Sequence, residues 1–94
     1  MQDRITSQKL EKYFKVTETA LEMAENSKNK TSLGKERDDM LDMIKRYISD
    51  AKHFEEKGDF VNAFAALNYA HGWLDAGARL GIFDVHNSKY FTVD

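Results

Sequence analysis

The stretch from Gly58-Asp59-Phe60 to Arg79-Leu80-Gly81 constrains the fold more than any other part of the chain. Asp59 is a helix-capping residue and Gly81 a helix-stopping one. Laid on a wheel at about 100° per residue from Phe60, the residues Asn68, His71, Asp75 and Arg79 fall within about 20° to 100°, one narrow polar stripe. From about 140° to 340° the circumference is almost wholly apolar or small: Ala65, Ala76, Tyr69, Leu80, Trp73, Ala66, Gly77, Ala70, Ala63, Leu74 and Leu67. Asn62 is the main exception. An apolar arc about twice the usual width predicts a helix lying between two others. Within it Ala63, Ala66, Ala70 and Gly77 form a seam of small residues. That seam lets a neighbouring backbone approach closely, with Trp73, Tyr69 and Leu74 filling the space beside it.

Two more helices are expected upstream. From about Ser7 to Asn26, the residues Leu10, Tyr13, Phe14, Thr17, Ala20, Leu21 and Ala24 recur at three- and four-residue spacing, the period of one helical face. Charged residues fill most other positions, and Glu11 to Lys15 is a favourable i,i+4 pair. The stretch Asn26 to Ser32 holds no apolar residue and forms the first connection, with Gly34 loosening the start of the second helix. That helix is expected over Lys35 to Glu56, with a stripe of Met40, Met43 or Ile44, Tyr47, Ile48, Ala51 and Phe54. Glu36, Asp38, Asp39 and Asp42 crowd its first turns, where the helix dipole favours negative charge. Lys57-Gly58-Asp59 then makes a tight turn into the third helix, over 60–80. Residues 1–94 are read as one all-α domain, an antiparallel three-helix bundle. The total absence of proline suits that reading, since proline breaks helix interiors.

Behind the third helix, Ile82, Phe83, Val85, Tyr90, Phe91 and Val93 make the segment 82–94 too apolar for a free tail. It is expected to pack over the bundle end or along a groove, with Phe64 and Val61 as landing points. Its functional alternative is a docking peptide for another chain, which makes Phe83, Val85, Tyr90 and Phe91 a candidate interaction surface.

Composition narrows the function classes. A net charge of −2 without a basic stripe argues against nucleic-acid binding. Residues 59–94 carry only Arg79 and Lys89 against Asp59, Asp75, Asp84 and Asp94, as suits a buried element. With no cysteine there is no disulfide, thiolate chemistry or cysteine-bound metal. Met1-Gln2-Asp3-Arg4 lacks the apolar core of a signal peptide, and no apolar run approaches membrane-spanning length. A soluble protein is expected, with the cytoplasm as its default place.

Four patterns carry candidate chemistry. In the stripe Asn68-His71-Asp75-Arg79, the pair His71 and Asp75 has an i,i+4 spacing that can hold a metal or set a base beside a carboxylate. Asp75 and Arg79 repeat the spacing. Two ligands are fewer than a zinc site needs, so neither metal nor cofactor is expected, and a solvated face is the simpler reading. Next, Arg46-x6-His53 and Arg79-x6-His86 resemble the ribonuclease motif of the HEPN superfamily of helical proteins, in which histidine would move protons and arginine stabilise phosphate charge. The polar residue that often follows that arginine is replaced by Tyr47 and by Leu80. The run Gly58-Asp59-x3-Ala63-x3-Leu67-x2-Ala70 also occurs in tetratricopeptide repeats, but no second copy is present at the repeat spacing. Met23, Met40 and Met43 could line an adaptable surface, but at helical spacing they read as core filling.

One resemblance covers about residues 45–84. Tyr47-Ile48-Ser49-Asp50-Ala51-Lys52-His53-Phe54, Gly58-Asp59, Ala63-Phe64, Asn68 to Gly77, Arg79-Leu80-Gly81 and Phe83 resemble an uncharacterised archaeal family, the domain of unknown function 357. The resemblance implies a small helical bundle similar in architecture to a spectrin repeat, and an archaeal source. It implies no activity and carries no catalytic residues. The first functional expectation is a small module that self-associates or docks on a protein partner, without catalysis. The second is an enzyme or small-ligand binder at Asn68, His71, Asp75 and Arg79, with a HEPN-like ribonuclease as its minor form.

Overall fold

The computed structural model describes residues 5–92, so the readings placed on Met1 to Arg4, Val93 and Asp94 lie outside it. It contains three helices, α1 (Ser7–Glu25), α2 (Gly34–Glu56) and α3 (Phe60–Leu80), and no strand among the described residues. The fold is an all-α three-helix bundle. The ends obey local chemistry. Thr6 accepts from the Lys9 N–H at 3.1 Å to open α1, and Asp59 accepts from the Asn62 N–H at 3.2 Å to open α3. Gly58 and Gly81 take positive φ of 78° and 80° and close α2 and α3 in the same Schellman pattern. In each, the residue after the glycine donates five residues back: Asp59 N–H to Phe54 O at 2.9 Å and Ile82 N–H to Gly77 O at 2.9 Å. Gly34 is the first residue of α2, one before the expected Lys35. Leu33 precedes it without a side-chain cap, and the loop closes instead on Asn29, which accepts from the Thr31 N–H at 2.9 Å. α1 stops one residue short of the expected Asn26, which donates its N–H to Glu22 O.

α3 is the central helix. It packs mainly on α2, then on α1, while α1 and α2 hardly touch. Leu10, Phe14, Ala20 and Ala24 of α1, Ile44, Ile48 and Ala51 of α2, and Ala63, Leu67, Ala70, Leu74 and Ala78 of α3 form the core. Ile44, not Met43, takes the buried position in α2. Each fully buried Leu or Ile in such a set contributes about 1.5–3 kcal/mol relative to exposure. The C-terminal segment completes the core, with Ile82, Phe83, Val85 and Phe91 all buried and Tyr90 half-buried. Phe83 packs against Gly77, where a Cβ would overlap its ring.

The rotation of α3 differs from the wheel reading. The buried positions are Ala63, Leu67, Ala70, Leu74, Gly77 and Ala78, so the core lies on one edge of the broad apolar arc. The opposite edge is open. Tyr69 (52%), Leu80 (65%) and Trp73 (36%) are exposed rather than packed between helices, and Val61 (69%) is no landing point for the tail. Phe64 meets Tyr13 of α1 edge-on, with ring centroids 4.7 Å apart.

Candidate functional site

The middle of the polar stripe of α3, His71 and Asp75, faces the tail. His71 is half-buried, and its Nε2 lies 2.7 Å from the backbone oxygen of Tyr90. A carbonyl only accepts, so that nitrogen carries the proton in this contact. Nδ1 is then free to accept from the Thr17 hydroxyl, 3.2 Å away on α1, the buried polar group of the core (2% exposed). Four residues on, Asp75 Oδ1 accepts from the Thr92 N–H at 2.9 Å and sits 3.9 Å from His71 Nε2. His71 and Asp75 therefore hold the backbone of the returning segment, which has no helix or sheet of its own to satisfy it. Asn68 and Arg79 are brought to neither contact; both are exposed, and the four residues do not converge.

Arg37, which the sequence offers as one more cation in a charged helix start, is the second tie. From the first turns of α2 its guanidinium donates to Ala24 O (3.0 Å), Glu25 O (3.3 Å), Ser27 O (2.7 Å) and Ile82 O (2.6 Å). It also lies 5.3 Å from the centre of the Phe83 ring. A fork of five donors suits a place where several helix-end carbonyls need partners at once. Beside it the two loops pair through their backbones, Lys30 N–H to Gly81 O at 2.8 Å and Asp84 N–H to Lys28 O at 2.9 Å. The hydrogen bond from His86 to Asp84 (2.8 Å) holds the Asp84 carboxyl below the usual carboxylate range. Burial opposes that shift, while Lys30, His86 and Lys28 add to it by their charge.

Both Arg–His pairs lie on the surface. Arg46 is exposed and bonded to Asp42 at 3.0 Å, while His53 is exposed on the same helix. Arg79 and His86 line one shallow depression with Lys30 and Asp84, but His86 is bound to Asp84. Among the described residues no cluster of three or more His, Cys, Asp or Glu side chains could hold a metal ion. A wide groove between α1 and α2 is walled by charges such as Glu11, Lys15, Glu22 and Glu55 and bridged by Lys52–Glu18 (3.6 Å). No described helix is long and apolar enough to cross a membrane.

What remains unpartnered is the open edge of α3. Tyr69 and Trp73 stand there with ring centroids 6.4 Å apart, and Tyr47 of α2 braces Tyr69 at 4.6 Å. Ala65, Gly72 and Ala76 lie exposed between and beside them, and Val61 and Leu80 mark the two ends. Phe83, Val85 and Phe91, the apolar surface the sequence suggested, are inside the bundle, and Tyr90 half so. The signal for the real open surface was present in the width of the apolar arc, which exceeds what two neighbouring helices cover.

A family model described as protein of unknown function (DUF357) matches residues 12–83, well over half of the chain. No curated protein and no solved structure matches it.

Proposed function

The chain belongs to the DUF357 family of proteins of unknown function, and on that premise we propose a small helical interaction module, without catalytic activity, whose contact surface is the open edge of α3. The observation that carries this reading is the exposure of Val61, Tyr69, Trp73 and Leu80, four large apolar side chains on the helix that forms the centre of the core. Single exposed apolar residues are ordinary, but Tyr69 and Trp73 side by side, with Tyr47 against them, have the composition of an interface core. Braced by Tyr47, the rings lose little freedom on contact, which keeps the ordering cost of binding low. The cytoplasm and an archaeal source, implied by composition and by the family resemblance, belong to the same proposal. Against an enzyme or ligand binder at the polar stripe stands the engagement of His71 and Asp75 by the tail backbone.

The test is photo-crosslinking in cells, with a benzophenone amino acid replacing Leu80 on the open edge of α3 or Lys9 on the exposed side of α1. Adducts are expected from position 80 in clear excess over position 9. Equal or absent yields at the two positions would sink the reading.

A further inference from the structure

Resting on that reading, we propose that the partner is a second copy of this chain, with the two α3 helices antiparallel and Tyr69 of each seated over the partner's Gly72. No described group of its own chain fills the space beside Gly72. The glycine does not have positive φ, and a Cβ built on it meets nothing within 4 Å. Glycine is unfavourable in a helix interior, so an omitted side chain with open space above it suits close approach from outside.

The spacing along the open edge supplies the register. Asn62, Ala65, Tyr69, Gly72, Ala76 and Arg79 succeed one another at alternating steps of three and four, the seam of a two-helix contact. The seam is its own mirror when run backwards. Reversal about its midpoint sets Tyr69 against the partner's Gly72, Ala65 against the partner's Ala76, and Asn62 against the partner's Arg79. Flanking it, Val61 meets the partner's Leu80. A large ring thus falls opposite the missing side chain, twice, as an isologous two-fold contact requires.

Charge agrees with this order. Arg79 is exposed and has no ion pair or hydrogen bond among the described residues. In the antiparallel register it arrives beside the partner's Asn62, which is itself bonded to the partner's Asp59 carboxylate (2.6 Å within one chain). A parallel pairing would instead bring Arg79 onto the partner's Arg79.

Sedimentation equilibrium of the full chain from micromolar to millimolar concentration tests the assignment. The wild-type chain should dimerise. Gly72→Leu should weaken association about 100-fold without lowering the unfolding midpoint at low micromolar concentration, because the position is exposed and a Cβ there meets nothing in the monomer. Arg79→Glu should weaken it about tenfold, and adding Asn62→Arg should restore most of that loss. A chain monomeric throughout would overturn the second-copy assignment. So would a dimer indifferent to Gly72→Leu, and a failed charge swap would overturn the register. The broader reading is judged separately by the position-80 adducts. Adducts with a different protein keep the interaction module and remove the homodimer; an absence of adducts removes both.

Discussion

Two glycines in the interior of α3 offer a matched pair of perturbations. Gly72 and Gly77 occupy the same helix, so replacing either by alanine gains the same intrinsic helix propensity, about 0.5–1 kcal/mol. Their surroundings differ completely. The new methyl of Gly72→Ala meets nothing within 4 Å. That of Gly77→Ala overlaps the Phe83 ring and comes within 3.2 Å of Met40 Cε. Phe83 has no easy escape, since its ring is fully buried and its own N–H is bonded to Gly77 O at 3.1 Å. Overpacking of this kind costs about 1–3 kcal/mol. Gly72→Ala should therefore stabilise by about 0.5–1 kcal/mol. Gly77→Ala should be neutral to destabilising by about 2.5 kcal/mol, once propensity offsets part of the overlap. For a domain of this size, each kcal/mol is about 4–8 °C in melting temperature. Urea unfolding at low micromolar concentration, where self-association adds nothing, measures both. A cycle with Phe83→Leu isolates the contact, because Gly77→Ala should lose much of its penalty when the ring is gone. If Gly77→Ala stabilised as much as Gly72→Ala, the seat of the C-terminal segment on α3 would be misplaced.

The other ties of the fold give sharper local readouts. Arg37→Met removes the donors to Ala24, Ser27 and Ile82 and should cost about 2–4 kcal/mol by urea unfolding, with Arg37→Lys recovering only part. His71→Ala leaves the buried Thr17 hydroxyl and the Tyr90 carbonyl without their partner. It should cost about 1–3 kcal/mol and speed hydrogen exchange at the Thr92 amide well before the core amides. The Asp84 carboxyl should titrate below the ordinary aspartate range by NMR and move upward in His86→Ala. Because its folded value is the depressed one, its stabilising contribution is present above the unfolded value and is lost as pH falls through the folded value.

The hairpin of α2 and α3 was legible in the sequence because its punctuation is local. Gly58 and Gly81 must supply left-handed backbone, Asp59 must cap, and none of this depends on the rest of the molecule. The rotation of α3 was not legible. A wheel shows which sides are apolar, not how many neighbours are available to cover them. The bundle has too few, and the uncovered side became the open edge. The stripe of His71 and Asp75 misled for a related reason. Polar residues on a helix suggest water, yet a tail without secondary structure needs polar partners for its own peptide groups. Only the tertiary arrangement says which applies. Arg37 was invisible because its partners are backbone oxygens from distant segments, which leave no trace in side-chain patterning.

The return of the C-terminal segment along α3 also decides where the described chain exits. Thr92 is held beside Asp75, more than a turn before the helix ends at Leu80, on the flank shared with α1. A label placed on Thr92 itself would therefore sit on the flank of the molecule rather than at its tip. There it would report whether the C-terminal segment stays seated on α3, because the Thr92 N–H is the group that Asp75 holds.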